Sequence, residues 1–230
     1  MFGKGSKLGA RTTRLSQGLL IALATVGLAG VQAASAQAAT RTTANLIKNP
    51  GAEAGPGGTG DPVSLPSWTR VQGSTATAVK YGTPSFPTLS SPGPTGRGKN
   101  FFAGGDPDSC GCTQHELVQN ISLQRFVSSI KRGHVGYQLF GSFGGFETQN
   151  DTAGLELDWF GTNGSFIGSQ TIGFFLAADR KNVTGMLGTG VGAPVPKAAR
   201  SARVTIVFDR SAGSYNDGYA DNLSLVLQGV

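Results

Sequence analysis

Two carboxylates stand two residues apart in "GLELDWFG" (154–161), and they are the first candidates for catalysis in this sequence. If the segment is a strand, Glu156 and Asp158 lie on one face about 7 Å apart. That separation is compatible with the acid and the base of a glycoside hydrolase. A carboxylate pair on an amphipathic strand is more often part of its solvated face. We therefore expect no enzyme, with glycoside hydrolysis by Glu156 and Asp158 as the alternative.

The remaining inventory of catalytic groups is short. His115 and His134 are the only histidines, and therefore the only imidazole bases for chemistry at neutral pH. The sequence contains no G-x-S-x-G elbow, H-E-x-x-H motif, phosphate-binding loop or dinucleotide fingerprint. These absences also favour a protein that is not an enzyme.

The two cysteines, Cys110 and Cys112, flank Gly111 in "DPDSCGCTQHE". Thiols of an exported protein tend to oxidise, and a sharp turn at Gly111 brings the two residues within bridging distance. We expect a local disulfide that stiffens one loop. A zinc site is the alternative, although Cys110, Cys112 and His115 make an incomplete ligand set.

Glu53 and Asp221 are acidic residues near opposite ends of the folded part. Glu53 follows a short apolar strand, Leu46-Ile47, and the turn Asn-Pro-Gly. Asp221 lies two residues before Leu223 and so shares its inward register if the strand is regular. A buried carboxylate needs a partner or a cation, and hard oxygen ligands suit Ca²⁺. If the first and last strands are neighbours, the two carboxylates converge on one ion; otherwise Glu53 is solvated and Asp221 belongs to an Asx turn.

Residues 1–38 have the pattern of a secretory signal peptide. An apolar stretch (18–31) precedes the small residues "ASAQAA" (34–39), which is the order of a cleavable export signal. A retained membrane anchor is the alternative. The stretch is preceded by four basic residues: Lys4, Lys7, Arg11 and Arg14.

Removal of this segment changes the charge. The whole chain has 19 Lys and Arg and 13 Asp and Glu, a net charge of +6. Without the four basic residues of the signal, the charge is (19 − 4) − 13 = +2, so the sequence predicts no nucleic-acid partner. We expect a secreted protein without a membrane span, with residues 39–230 as one domain and its core at about 45–228. The sequence does not predict an oligomeric state.

Apolar residues alternate with polar ones along most of the remaining chain, as is typical of strands with one buried face. Glycine and proline break the pattern at short intervals, which predicts an all-β, antiparallel β-sandwich. One exception, residues 123–133, has helical spacing and ends at Gly133. The Pro- and Gly-rich stretch 81–100 is expected to be a long surface loop. The strands are predicted at 134–143, 154–161, 202–209 and 220–228, with a hairpin turn at 161–164 leading into a further strand.

Four segments together resemble secreted bacterial jelly rolls of the galactose-binding-like, carbohydrate-binding-module type. They span about 45–228, which is nearly the whole mature chain. They are "NLIKNPGAEAG" (45–55), "LPSWTR" (65–70), "GKNFFAGG" (98–105) and "DGYADNLSLVL" (217–227).

The resemblance implies a structural calcium ion held by Glu53, Asp221 and the backbone carbonyl of Asn49. Two departures bear on it. Ala52 stands where such proteins usually have Phe, and Asn222 stands where a second Asp often lies, which removes one possible ligand.

The resemblance also implies a non-catalytic module with a polysaccharide or glycan as its partner. Sugars bind flat aromatic faces and directed polar groups, and two loops, 140–151 and 213–221, combine both. An adhesive or structural surface protein without a small ligand is the alternative. Phe143 is expected in the core. The candidate ligand-binding residues are Trp68, Tyr81, Phe146, Gln149, Asn150, Asp151, Tyr215, Asn216, Asp217 and Tyr219.

Overall fold

The computed structural model describes residues 41–106 and 111–230. The predicted signal peptide and Cys110 lie outside these residues, so the export signal and the disulfide stay predictions. The strands are β1 (Thr69–Arg70), β2 (Thr77–Lys80), β3 (Asn100–Gly105), β4 (Gln114–Ser122), β5 (Gly136–Gly145), β6 (Thr152–Phe160), β7 (Phe166–Gly173), β8 (Gly185–Pro194), β9 (Ser201–Asp209) and β10 (Asn216–Gln228), and one α-helix, α1 (Val127–Arg132), lies between β4 and β5.

These strands form two five-stranded sheets. The first sheet has the order β1-β4-β9-β6-β7 and the second has the order β2-β3-β10-β5-β8. Neighbouring strands pair antiparallel throughout both sheets. The predicted fold class, an antiparallel β-sandwich with one short helix, is confirmed.

The core lies between the sheets and is filled by the inward residues of facing strands. Burial of one large aliphatic or aromatic side chain contributes about 1.5–3 kcal/mol, so this alternation is the main source of stability. Phe143 belongs to the core, as expected. The inward residues of the predicted strands are all buried in it: Val135, Tyr137, Leu139, Leu155, Leu157, Trp159, Val204, Ile206, Phe208, Leu223, Leu225 and Leu227.

The predicted helix is confirmed, with a tighter first turn. A 3-10 turn over Gln124–Phe126 leads directly into α1. Gly133 ends the helix in the left-handed conformation (φ +79°), and its N–H donates to the Ile130 carbonyl. Ile130 is fully buried in the core, so the helix is held by its apolar side.

A second, smaller group of apolar residues covers the outer face of the second sheet. Phe102 points into the core, whereas its neighbour Phe101 points away from it, as alternation along β3 requires. We call this group the outer cluster; it consists of Val79, Phe101, Ala103, Met186 and Tyr219, with Tyr81, Phe86, Phe146 and Tyr215 packed against it. The predicted surface loop, 81–100, is one residue shorter in the structure, because Asn100 begins β3. Residues 81–99 connect β2 to β3 without a helix or strand and supply Phe86 to the cluster.

Residues 42–46 run beside the C-terminal half of β10. The Leu46 N–H donates to the Leu225 carbonyl (2.8 Å). The Asn45 side chain accepts a bond from the Leu225 N–H (3.0 Å) and donates one to the Leu223 carbonyl (2.8 Å). The prediction of a regular strand at Leu46-Ile47 is therefore wrong, because a side chain replaces backbone groups of the ladder. None of the helices in residues 41–106 and 111–230 is long and apolar enough to cross a membrane.

Candidate functional site

The alternation of inward and outward side chains along β10 is reversed at Asn222. This residue has a φ of +51°, and the pairing with β5 shifts register after Asp221. Ala220 and Leu223 both reach the core, whereas Tyr219 belongs to the outer cluster. The predicted shared register of Asp221 and Leu223 is therefore wrong, because a bulge inserts one residue and turns Asp221 to the outer face.

Asp221 is nevertheless fully buried, under the loop that follows β2. The Tyr81 hydroxyl donates to its Oδ2 and the Asn222 N–H donates to its Oδ1, both at 2.7 Å. Burial raises the pKa of Asp221 to about 6, with these two bonds opposing the rise and the nearby Glu53 adding to it. Burial, followed by the charge of Asp221, raises the pKa of Tyr81 well above its ordinary value.

Glu53 approaches the same place from the N-terminal side. Its Oε1 accepts bonds from the N–H groups of Lys99 and Asn100, both at 2.8 Å. Gly51 lies between the two carboxylates, since a Cβ there would be 2.9 Å from Asp221 Oδ1 and 3.9 Å from Glu53 Cγ. Only glycine leaves room for this approach, so the turn "NPG" brings the two ends of the folded chain together.

The two carboxylates fit a hard cation chemically, but the three expected ligands do not converge. Neither Glu53 nor Asp221 accepts a bond from a Lys or Arg side chain of the described residues. The Asn49 carbonyl instead accepts a bond from the Trp68 indole N–H (3.1 Å). No group of three His, Cys, Asp or Glu in the described part of the chain is arranged to hold a metal ion.

A cleft of about 360 Å³ opens at one end of the outer cluster. Three half-buried aromatic residues line it, together with three carboxylates. We call it the aromatic cleft; its lining consists of Thr59, Gly60, Asp61, Ser85, Phe86, Asp106, Phe146, Tyr215 and Asp217.

The aromatic rings of the cleft hold one another in place. The Tyr215 hydroxyl donates to the Gly60 carbonyl (2.9 Å), which ties the loop before β10 to the loop that precedes β1. Phe86 meets Tyr215 edge to face, with ring centroids 5.4 Å apart. Tyr219 is fully buried beneath them, 6.0 Å from Phe86. The cleft is therefore built on packed residues of β10, although loops form its rim.

The electrostatics of the cleft are dominated by acids. Burial raises the pKa of Asp217 to about 6; the bond from Tyr219 opposes this shift, the charge of Asp151 adds to it, and that of Arg180 opposes it. Burial is the main cause that raises the pKa of the Tyr215 hydroxyl, and the charge of Asp217 is the second. The charges of Asp106 and Asp61, the two other carboxylates of the cleft, raise it further.

The structure brings together three of the predicted ligand-binding residues. Phe146, Tyr215 and Asp217 line the cleft, and Tyr219 lies beneath it with its hydroxyl donating to Asp217 Oδ1 (2.7 Å). The two segments predicted as loops, 140–151 and 213–221, therefore both reach this cleft. The prediction that they are loops is wrong for residues 140–145, which belong to β5, and for residues 216–221, which belong to β10. Phe146 packs against the outer cluster from the end of β5.

Asp151, Asn216 and Trp68, also candidates, have structural contacts instead. Asp151 is fully buried and accepts bonds from the backbone N–H groups of the loop that precedes β10. Asn216 is fully buried and donates to the Phe208 carbonyl (3.0 Å). Trp68 is a core residue that meets Phe102 edge to face, so it offers no face to a ligand.

The last three candidates lie away from the cleft lining. Tyr81 is bonded to Asp221, as described above. The Asn150 side chain accepts a bond from the Ala177 N–H (3.1 Å). Gln149 is half-buried beside Gly213.

The sequence did not predict the other six lining residues of the cleft, among them Asp61, Phe86 and Asp106. Asp61 and Phe86 lie in segments rich in glycine and proline, and Asp106 follows β3 directly. Where the neighbouring residues in the sequence show no regular alternation, the sequence does not indicate which residues will be in contact in the fold. Their common position depends on the crossing of loops over the second sheet.

The carboxylates considered for catalysis lie elsewhere, on the outer face of the first sheet. Glu156 and Asp158 are half-buried on β6. Burial raises the pKa of Glu156, and so do the charges of Asp158, Glu116 and Asp209, in that order. His115 is buried, with its Nδ1 2.6 Å from the Gly104 carbonyl.

No protein-family model matches the chain, and no curated protein matches it. Among solved structures, the family 16 carbohydrate-binding module-2 aligns with 79% of this chain and 99% of its own, at 18% identity and a TM-score of 0.48. A CBM4 structure aligns with 78% of the chain and 97% of its own, at 14% identity and a TM-score of 0.40.

The enzymatically active domain of tailspike protein 4 from bacteriophage CBA120 is a further match. It aligns with 79% of the chain at 11% identity and a TM-score of 0.48, and the chain spans only 21% of its length. At such identities a likeness concerns the fold alone and says nothing of ligands. The β-sandwich fold that the resemblance implies is confirmed by the two five-stranded antiparallel sheets.

Proposed function

We propose that this chain is an extracellular, non-catalytic module that binds a polysaccharide or glycan in the aromatic cleft. The observation that carries the proposal is the meeting of Phe86, Phe146 and Tyr215 with three carboxylates in one cleft. Aromatic faces pack against the C–H surfaces of sugar rings, while carboxylate oxygens accept bonds from sugar hydroxyls. Extracellular location is supported by the export signal in the sequence, residues 1–38.

We also propose a structural Ca²⁺ ion at Glu53 and Asp221. Support comes from two carboxylates that lie on either side of Gly51 and accept no hydrogen bond from a Lys or Arg side chain of the described residues, although the charge of Arg97 acts on Asp221. The ion would neutralise their charges and tie the N-terminal turn to β10. The Asn49 carbonyl, which is directed at the Trp68 indole, is left out of this ligand set.

The glycan role is tested by screening the purified protein on a polysaccharide and glycan array, then measuring the Kd of each hit by calorimetry. We expect Phe146→Ala and Tyr215→Ala to weaken binding about fivefold or more, by analogy with rings that stack on nucleobases, whose loss costs about 1–3 kcal/mol. Phe166→Ala is the matched control, because Phe166 is an exposed ring (62%) on β7. Retention on none of the glycans would favour the structural or adhesive role, and loss of binding only in Phe166→Ala would move the site to the first sheet.

Glycoside hydrolysis is the second candidate function, favoured by one observation. The pKa of Glu156 is raised by burial and by three neighbouring carboxylates, as the general acid of a glycosidase requires. This alternative predicts release of reducing sugar from a bound polysaccharide, lost in Glu156→Gln or Asp158→Asn. Product formation unchanged in both variants would remove it.

A further inference from the structure

The aromatic cleft is acidic on several sides. Asp61, Asp106 and Asp217 line it, and no Lys or Arg is among its described lining residues. All three carboxylates influence the Tyr215 hydroxyl at its edge. A ligand with negative charge, such as a uronic acid, would be repelled from this cleft.

One oxygen of Asp217 lacks a partner. The residue is only 9% exposed, and its Oδ1 accepts a bond from the Tyr219 hydroxyl. Its Oδ2 accepts no hydrogen bond from any residue in 41–106 or 111–230, yet this atom is not sealed from solvent. Because Asp217 lines the cleft, that oxygen is available to a ligand there.

The nearest cation does not supply the missing partner. Arg180 is 3% exposed and its guanidinium donates to backbone carbonyls, including those of Gly145, Val183 and Gln149. Its charge opposes the rise in the pKa of Asp217 only partly. The guanidinium is therefore held beneath the site, and the lining keeps its excess of negative charge.

A bare metal ion is not the cation that this arrangement suits. No group of three His, Cys, Asp or Glu among the described residues is close enough to hold a metal, so the cleft acids surround a space instead of meeting at a point. The rings of Phe86, Phe146 and Tyr215 line the same space. Aromatic faces attract organic cations and pack against C–H surfaces.

We propose that the preferred ligand of the aromatic cleft is a glycan with free amino groups, with the ammonium of one sugar bonded to Asp217 Oδ2 and its ring stacked on the aromatic residues. The inference rests on the proposed glycan-binding function and names the class of glycan. An ammonium supplies both the hydrogen bond that Asp217 lacks and the positive charge that the cleft lacks. Acetylation of the amine removes both.

The experiment compares three oligosaccharides of equal length, made of glucosamine, N-acetylglucosamine or glucose, by calorimetry at pH 6.5. We expect the glucosamine oligomer to bind at least about tenfold more tightly than the other two, in keeping with a hydrogen bond to a charged group. Its affinity should also fall with added salt more steeply than theirs. Equal or weaker binding of the glucosamine oligomer would overturn the inference and leave the proposed function intact, whereas no binding of any oligomer or array glycan would remove both.

Single substitutions test which carboxylates of the aromatic cleft recognise the ammonium group. Asp217→Asn, with its thermal unfolding measured beside the wild type, should reduce the preference for the glucosamine oligomer over the two neutral oligomers to about twofold or less. Asp61→Asn is the second variant, and it should reduce the same preference by about half or more. The Asp61 side chain is exposed and makes no hydrogen bond with residues 41–106 or 111–230. Asp158→Asn, on the first sheet, is the matched control and should retain it.

Two outcomes would contradict the assignment of ammonium recognition to the aromatic cleft. One is a preference unchanged in both cleft variants, and the other is a preference lost equally in Asp158→Asn, which would indicate attraction by overall charge. Polylysine tests the other cationic class. Tight binding of polylysine without binding of the glucosamine oligomer would identify a basic peptide as ligand and contradict the inference.

Discussion

Asp151 anchors the loop that precedes β10. It is fully buried, and its Oδ1 accepts bonds from the N–H groups of Ser211 (2.7 Å) and Ala212 (3.0 Å). Its Oδ2 accepts a bond from the Asp217 N–H (2.9 Å). The loop supplies Tyr215 to the cleft, so Asp151 positions a lining residue without being one itself.

We expect Asp151→Ala to lower the free energy of unfolding by about 2–4 kcal/mol, because three backbone N–H donors, one of them buried, lose a buried charged acceptor. The change is measured by urea denaturation. Asp158→Ala, which truncates a half-buried carboxylate on β6, is the control and should cost under about 1 kcal/mol. Equal costs for the two variants would show that the loop does not depend on Asp151.

Asp217 makes stability depend on pH. Its pKa is about 6 in the folded protein and 3.8 as an ordinary aspartate, so the folded state binds the proton more tightly. Its stabilising contribution is present below about pH 4 and is lost as pH rises through 6. The charged and titratable groups that face it are Tyr219, Tyr215, Asp151 and Arg180, with Asp61 and Asp106 across the cleft.

The prediction is tested by comparing wild type with Asp217→Asn from pH 4 to 7, so that contributions of other groups cancel. Relative to the variant, the free energy of unfolding of the wild type should fall by up to about 3 kcal/mol over this range. Parallel profiles would contradict the assignment.

At the scale of the strands, the alternation of apolar and polar residues in the sequence was the best predictor of the structure. It predicts the positions of β5, β6, β9 and β10 and their inward residues, because each of these strands has one face on the core. β8 gave no such signal, since glycines occupy its outward positions Gly188, Gly190 and Gly192. β2 and β3 show no alternation of apolar and polar residues, because loops cover the face that points away from the core and both faces are therefore apolar.

The residues of the candidate site were harder to predict than the core residues, because few of them belong to a regularly alternating strand. Alternation holds only while a strand is regular, and the bulge at Asn222 reverses the facing of every residue before it. Polar residues in loops can turn inward to bind backbone groups, as Asn216 does. Aromatic residues on β10 could be identified, but their partner Phe86 comes from a loop without periodicity.

The bulge itself is testable at Asn222. Its φ of +51° suits Gly or Asn, whereas a β-branched side chain is strained there. Asn222→Val should cost about 1–2 kcal/mol in the free energy of unfolding, and Asn222→Gly should be close to neutral. Ser224→Val, in the regular part of β10, is the control. A harmless Asn222→Val would mean that the strand can run without the bulge.

At the scale of the whole molecule, the proposed ion joins the two ends of the fold. Ca²⁺ at 100 times its Kd should raise the free energy of unfolding by about 2.7 kcal/mol, and a chelator should reverse the gain. Asp221→Asn and Glu53→Gln should lose this response, while Glu156→Gln, a half-buried carboxylate on β6, should keep it. Unfolding that is the same in calcium and in chelator would rule the ion out.

The pairing of residues 42–46 with β10 places the first and last described residues together. The Gly229 N–H donates to the Arg41 carbonyl at 2.8 Å. A short peptide bridge from residue 230 to residue 41 would therefore close the polypeptide into a ring without disturbing any strand. New termini could then be opened at the exposed hairpin 162–164, giving a circular permutant in which the former ends are a continuous turn and the ladder survives intact.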